Sequence, residues 1–147
     1  MGAERSAYPG PLYYIQNGMV RWNTSSIPDS ASITGATFTG FVTIKGDADN
    51  RSLTADWYTA WPIDTADYSA TPQISAITGF DITSIVLNAN NAFVLQNAAT
   101  NVSKTDYTGL RFHISGGQPL GGNSVLMTTF DSGPSNRPTL SVSYTCP

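Results

Sequence analysis

The sequence contains very few of the residues on which catalytic and metal sites usually depend. Its 147 residues include one histidine, His113, one cysteine, Cys146, and one glutamate, Glu4. A single cysteine excludes an intramolecular disulfide and a thiolate metal site. A nucleophilic triad needs a histidine base, and the one histidine, His113, lies in a predicted strand. A glycosidase needs two carboxylates on either side of the bond that it cleaves, and most aspartates of this chain lie in turn-like segments. We therefore expect a protein that is not an enzyme.

Charged residues are also scarce, at 12% of the chain against roughly 25% in typical soluble domains. The net charge is −3 and the seven lysines and arginines are scattered, so no basic cluster exists to hold nucleic acids or anionic membranes. No apolar run approaches the roughly 20 residues that cross a bilayer, and the N-terminus lacks the apolar segment of a secretory signal. Serine, threonine, asparagine and glycine take the place of charge. We expect no nucleic acid and no membrane as partners, and a location on a virion surface or outside the cell.

Alternation of apolar and polar residues recurs along the chain and predicts half-buried strands. In residues 108–115 it places Leu110, Phe112 and Ile114 on one face, and over residues 36–44 every second residue is apolar or glycine. Segments rich in glycine, proline, asparagine and aspartate separate these runs. The pattern predicts an all-β, jelly-roll-like antiparallel β-sandwich that forms a single domain over residues 1–147. Residues 90–102 are the exception, because their apolar residues fall at helical spacing and predict one short helix or helical turn.

The run "VRWNTSSIPDSASITGATFTGFV", residues 20–42, resembles the opening of the DNRLRE-type domains, also called disaggregatase-related β-sandwich domains. Later segments at 62–68, 108–115 and 136–144 resemble further landmarks, so the likeness covers roughly residues 19–144. Asn23 stands where this family usually has aspartate. The resemblance implies a jelly-roll-like sandwich of the kind found in carbohydrate-binding modules, cell-surface proteins and phage-encoded structural proteins. The matching residues in the opening run are Arg21, Trp22, Asn23, Ser26, Ile27, Pro28, Ala31, Ile33, Ala36 and Phe38.

The segment "DWYTAWPIDTADY", residues 56–68, contains two tryptophans, two tyrosines and three aspartates. Alternation places Trp57 in the core, and we expect Tyr68 to return toward the core after the turn. The remaining aromatic side chains can stack on sugar rings while neighbouring carboxylates hold sugar hydroxyls. The predicted sugar-binding residues are Tyr58, Trp61, Asp56 and Asp64.

The loop "GDADN", residues 46–50, spaces its oxygen-bearing side chains as calcium ligands are often spaced. It lacks the bidentate glutamate of a strong calcium motif, so a polar hairpin loop is favoured over a structural Ca²⁺ site. We expect no other cofactor. The candidate ligands are Asp47, Asp49 and Asn50.

Two further features bear on association with other subunits. Residues 1–16 are uncharged over "SAYPGPLYYI" and form either an arm that packs on a neighbour or an ordinary edge strand. Cys146 is either an incidental thiol or a bridge to another chain. The candidate subunit contacts are Tyr13, Tyr14 and Cys146.

Two hypotheses for function follow. The first is a non-enzymatic structural protein of a virion or particle surface, a phage capsid decoration or fibre component that contacts capsid or fibre subunits and forms a homo-oligomer. The second is a secreted carbohydrate-binding module that recognises cell-surface or cell-wall glycans. Fold resemblance alone does not choose between them.

Overall fold

Residues 1–71 and 73–147, which the computed structural model describes, form ten strands in two antiparallel sheets. This confirms the predicted β-sandwich. The six-stranded sheet has the order β10-β4-β9-β1-β2, with β7 on the other side of β4, and the four-stranded sheet has the order β3-β8-β5-β6. The strands are β1 (Gly2–Ala7), β2 (Tyr13–Gln16), β3 (Gly18–Asn23), β4 (Ser32–Asp47), β5 (Ser52–Trp57), β6 (Ser75–Asp81), β7 (Ala89–Leu95), β8 (Tyr107–Ile114), β9 (Gly122–Met127) and β10 (Thr139–Thr145).

The core lies between the sheets and is built on stacked phenylalanines. Phe38 of β4 packs on Phe93 of β7 and on Phe112 of β8, with ring centroids 5.7 and 5.1 Å apart. Each fully buried side chain of this size contributes about 1.5–3 kcal/mol relative to its exposed state. Leu53 of β5 and Phe112 of β8 point into the core. Because side chains alternate along a strand, the polar residues on either side of Leu53 and Phe112 lie on the outer face of the four-stranded sheet.

Two local predictions differ from the structure. The inward stripe of β4 continues through Val42, but a bulge against β9 lies between Val42 and Ile44 and leaves Ile44 exposed. An extra residue in one strand reverses the alternation beyond it. Within residues 90–102, residues 90–95 belong to strand β7, and the predicted short helix is limited to α2 (Ala98–Asn101), which begins after Asn97 with its left-handed φ of 57°. The other helical elements are α1 (Thr65–Ser69) and the 3-10 helices Ile82–Ser84 and Pro134–Asn136.

The first sixteen residues are paired into the six-stranded sheet. Strand β1 pairs with β9 on one side and with β2 on the other, and β2 ends the sheet order. The amino group of Met1 donates to the carbonyl of Met127 at 2.7 Å. Residues 2–7 are therefore an interior strand and residues 13–16 an edge strand. In the ranges that the structure describes, no helix has the length and hydropathy to cross a membrane.

Candidate functional site

The segment between β5 and β6, described over residues 58–71 and 73–74, is called the covering segment below. It folds back over the outer face of the four-stranded sheet and buries Arg111 beneath it. The Arg111 side chain is only 1% exposed. One Nη donates to the carbonyl of Asp67 at 2.8 Å, and the other donates to the carbonyl of Ala70 and to Oδ2 of Asp56, both at 3.3 Å. A buried guanidinium requires this many acceptors. Arg111 thus fastens the covering segment to the sheet.

His113 completes this buried cluster. Its Nε2 lies 3.1 Å from Nε of Arg111 and 3.2 Å from Oδ2 of Asp56. Burial is the main cause that lowers the pKa of His113 below its ordinary value, with the Asp56 carboxylate acting in the opposite direction. A neutral imidazole with unprotonated Nε2 accepts the hydrogen of Arg111 Nε, whereas protonation would turn Nε2 into a donor toward Asp56. The lowered pKa thus favours the neutral imidazole, which can accept the hydrogen of Arg111 Nε.

Tyr58 and Asp67 join the covering segment to the Arg111 cluster. The Tyr58 hydroxyl donates to the carboxylate of Asp67, and the Arg111 guanidinium lies 4.3 Å from the Tyr58 ring centroid. The Asp67 carboxylate raises the pKa of Tyr58, and the hydrogen bond from Tyr58 lowers the pKa of Asp67. Asp64 caps α1, since its Oδ1 accepts from the amide of Ala66 at 2.7 Å. These acids hold the fold.

The prediction that Tyr68 points inward is wrong, while the core position of Trp57 is confirmed. Helix α1 begins at a capping box in which Asp67 binds back to the amide of Asp64. That contact turns Asp67 toward the sheet and leaves its neighbour Tyr68 exposed.

Trp61 lies at the surface beside a second arginine. Its side chain is 58% exposed. Cζ of Arg21, on β3, lies 3.8 Å from the Trp61 ring centroid and 4.2 Å from the ring centroid of Tyr107 on β8. The two rings hold the guanidinium by cation–π contact. Three separate segments therefore bring one cation and two aromatic rings together.

A groove of about 260 Å³ opens beside Trp61 and Arg21, along β3. The exposed residue Phe130 also lines the groove, and the lining is predominantly apolar. The groove is therefore a concave surface lined by two exposed aromatic residues and by the Arg21 guanidinium, and the amino group of Met1, which donates to Met127, belongs to one of its lining residues. The other lining residues are Met1, Met19, Val20, Thr129 and Pro138.

The structure divides the four predicted sugar-binding residues. Asp56 and the hydroxyl of Tyr58 belong to the buried Arg111 cluster, and Asp64 is the cap of α1. Trp61 alone lines the groove. The sequence reasoning did not select Arg21, Tyr107 or Phe130 as site residues. Arg21 and Tyr107 lie on the neighbouring strands β3 and β8, and the residue opposite Arg21 is Gly109, two positions from Tyr107. Long side chains at such diagonal positions can reach each other, so the outward direction of both residues was the available signal.

The candidate calcium ligands lie in a loop that the protein's own groups already hold. Asp49 pairs with Nε of Arg51 at 3.3 Å and accepts from the amide of Leu120 and from Asn123, each at 2.9 Å. The Leu120 amide is the largest cause that lowers the pKa of Asp49. Asp47 Oδ1 accepts from the amide of Arg51.

Asn50, the third candidate ligand, is exposed with a φ of 55°. Within the described ranges, Asp47 Oδ2 is the buried side-chain atom that has no hydrogen-bond partner, and no group of three or more His, Cys, Asp or Glu side chains is placed to hold a metal. Calcium binding stays a prediction.

The candidate subunit contacts lie far apart in the sheet order. Tyr13 and Tyr14 are exposed on β2, whereas the exposed thiol of Cys146 follows β10 at the other end of that order. A single contact patch therefore does not include all three.

Comparison of the chain with protein-family models, with curated proteins and with solved structures finds no match. The geometry of the molecule is thus the basis for the proposals below.

Proposed function

We propose that the protein is a non-enzymatic structural module of a virion or particle surface, such as a phage capsid decoration or fibre component, and that it self-associates through the β1–β2 hairpin. The observation that carries the proposal is the character of strand β2. Its residues are Tyr13, Tyr14, Ile15 and Gln16, and its two tyrosines are 52% and 43% exposed. The hairpin adds Tyr8, whose ring packs edge-on against Tyr14 with centroids 6.4 Å apart, and the exposed Leu12.

An edge strand presents unpaired backbone N–H and C=O groups to any other strand that approaches. Natural proteins usually protect such edges with charged side chains, bulges or a covering element. Strand β2 carries no charged residue, and its pairing with β1 runs without a register shift. Tyrosines are also enriched at protein interfaces, because their rings are apolar and their hydroxyls form hydrogen bonds. These features favour a second chain as the group that covers β2.

The carboxylates of the molecule support a structural role over a catalytic one. Asp56 is paired with Arg111, Asp64 and Asp81 cap helical segments, and Asp49 is held within its loop. Each of these groups has a partner within the fold, which gives it a structural role. The resemblance to DNRLRE-type domains, which occur in phage structural proteins, agrees with this proposal.

The test is sedimentation velocity over a wide range of protein concentration. We expect the wild-type chain to sediment above its monomer mass of 15.6 kDa. The double variant Tyr13→Lys/Tyr14→Lys should sediment as a monomer, because it places two positive charges on the edge. The control is Val94→Lys on β7, another edge strand of the same sheet, where the side chain is 80% exposed. A wild-type monomer at every concentration, or an oligomer unaffected by the double variant, would contradict the proposal.

A second function, the binding of cell-surface or cell-wall glycans, is favoured by one observation. Trp61 presents an open ring beside a groove of about 260 Å³, and exposed aromatic rings in concave surfaces are suited to stacking on sugars. The test is an array of glycans and cell-wall polysaccharides probed with the wild-type chain and with Trp61→Ala. Tyr68→Ala is the control, because Tyr68 is an exposed aromatic residue of the same segment that does not line the groove. Failure of the wild-type chain to bind any glycan would exclude this function.

A further inference from the structure

We infer that Arg21 and Trp61 form a subsite for a sugar residue that carries a carboxylate, such as a hexuronate. The inference rests on the second proposed function, glycan binding at the groove. It specifies the chemical class of the sugar, which Trp61 alone does not determine.

The Arg21 guanidinium differs from other arginine side chains of the protein in its partners. Within the described residues, Arg51 and Arg111 each pair with a carboxylate, and Arg5 donates to two backbone carbonyls. Arg21 has no protein hydrogen-bond acceptor among these residues, and its contacts are the rings of Trp61 and Tyr107. Its N–H donors are thus available to a ligand.

The rings of Trp61 and Tyr107 also orient the Arg21 guanidinium. Cation–π and stacking contacts use the faces of the planar guanidinium, whereas its five N–H groups lie in the plane. Cζ of Arg21 lies 3.8 and 4.2 Å from the ring centroids of Trp61 and Tyr107, distances that fit face-on stacking. Face-on stacking leaves the N–H edge of the guanidinium for a ligand. A planar fork of donors matches a carboxylate, which it binds with two parallel hydrogen bonds.

The groove beside Arg21 has the size and the lining for a sugar ring. Trp61 and Phe130 are its aromatic lining residues, and Met19 and Val20 are apolar lining residues next to Arg21 in the chain. The volume of about 260 Å³ is below the range of roughly 300–1,000 Å³ of drug-sized pockets, which suits one ring. A pyranose is amphipathic, since its C–H faces pack on aromatic rings while its substituents lie at the edge. The site therefore fits a single pyranose ring with a negative charge at its edge.

Charge makes the local arrangement selective. The protein carries a net charge of −3, so its overall field does not attract acidic polymers. A partly desolvated ion pair at Arg21 would supply the attraction at short range, and it would weaken as salt is added because the groove is open to solvent. We expect affinity for uronates to fall with ionic strength.

The experiment is calorimetric titration with oligomers of galacturonate, glucuronate-containing hyaluronan and mannuronate-rich alginate. Each acidic oligomer is matched by its methyl ester, which keeps the ring and removes the charge. We expect at least one acidic oligomer to bind, with at least tenfold weaker binding of its ester. Because this comparison uses the wild-type chain, it does not depend on whether a variant folds.

The variants localise the effect. Arg21→Gln and Arg21→Lys should each weaken binding of the acidic oligomer at least tenfold, since glutamine removes the charge and lysine removes the planar fork. Trp61→Ala should abolish it, and Tyr68→Ala should leave it unchanged. A poly-glutamate peptide is the competing probe, because an acidic peptide presents the same carboxylates without the ring.

The outcomes separate this inference from the function on which it rests. Equal binding of acid and ester that requires Trp61 but not Arg21 would leave glycan binding in place and overturn the inference. Arg21-dependent binding of poly-glutamate and of no uronate would overturn the inference in favour of a peptide site. Absence of binding to every oligomer here and to every glycan of the array would overturn both.

Discussion

Two arginines on the same outer face of the four-stranded sheet have opposite environments. Arg21 of β3 is opposite Gly109, and Arg111 of β8 is opposite Met19, so the two lie on adjacent strands two positions apart. Arg111 is buried and donates to a carboxylate, a histidine and backbone carbonyls. Arg21 is half-buried and contacts two aromatic rings. The same residue type thus holds the fold at one position and faces solvent at the next.

The covering segment between β5 and β6 creates this difference. It supplies the carbonyls of Asp67 and Ala70 to Arg111, and it supplies the ring of Trp61 to Arg21. Where the segment provides oxygen atoms, the cation is satisfied internally. Where it provides a π face, the hydrogen-bonding capacity of the cation remains for another molecule. The contrast identifies which polar side chains of this surface are candidates for binding.

The largest effect is expected from Arg111→Met. Removing one partner of a buried ion pair typically costs about 3–5 kcal/mol, because the remaining charge is left unpaired. Asp56 would keep His113 as its remaining polar side-chain contact. The measurement is the free energy of unfolding from urea titration. In a double-mutant cycle, Arg111→Met/Asp56→Leu should recover part of the loss, and a loss below about 1 kcal/mol for the single variant would show that Arg111 is not the fastening group.

A smaller effect is expected from Tyr58→Phe. The variant keeps the ring against Arg111 and removes the hydroxyl that donates to Asp67. Loss of this charge-assisted hydrogen bond should lower the midpoint of thermal unfolding by less than Arg111→Met does. Amide exchange of the covering segment should rise as well, since the bond joins that segment to the sheet. Unchanged exchange would assign the fastening to Arg111 alone.

The strands and the core were predictable from the sequence because their pattern is local. Period-two alternation in residues 108–115 placed Phe112 on the inner face of the sheet, as the structure has it, and placed Arg111 on the outer face, where the covering segment buries it. The bulge after Val42 was not predictable, since one unpaired residue changes the register without altering composition. The capping box from Asp64 to Asp67 was visible as a spacing of three residues, and it would have corrected the position of Tyr68.

The site was less predictable because it depends on contacts between distant segments. Alternation shows that Arg21 and Arg111 point away from the core, but it does not show what covers them. Asp56, which was selected for sugar binding, pairs with Arg111 on the neighbouring strand, a contact between distant residues that only the folded chain reveals. Trp61 was identified because an aromatic residue before a proline at a strand end has no place on the sheet face. The sequence shows that its partner Arg21 points outward, but the strand pairing that sets Arg21 beside Tyr107 and Trp61 is visible only in the structure.

The pH dependence of stability offers a third test of the buried cluster. Burial lowers the pKa of His113 in the folded state, so the unfolded chain, with a pKa near 6.5, binds a proton more readily. Unfolding is therefore favoured as the pH falls below about 6.5, and the stability associated with neutral His113 is present in full above that value. The His113→Gln variant has no titratable side chain at this position. Its free energy of unfolding should therefore change less than that of the wild-type chain between about pH 6.5 and 5. A wild-type profile that is equally flat in this window would show that the histidine is not held neutral.

The smallest change in stability is expected from Arg21→Gln. Cation–π contacts at exposed sites contribute about 0.5–1 kcal/mol, and glutamine retains part of the packing between the rings of Trp61 and Tyr107. The loss in free energy of unfolding should therefore stay below about 1 kcal/mol, with no change in its pH dependence. The matched variant Arg111→Gln, measured in the same urea titration, should lose several times more. If the two substitutions cost the same, the rings would be fastening the covering segment as strongly as the carbonyls do, and Arg21 would belong to the scaffold. If only Arg111→Gln lowers the free energy of unfolding strongly, substitution of Arg21 leaves the fold intact. A change in ligand binding by an Arg21 variant then reports on the binding site and not on the stability of the protein.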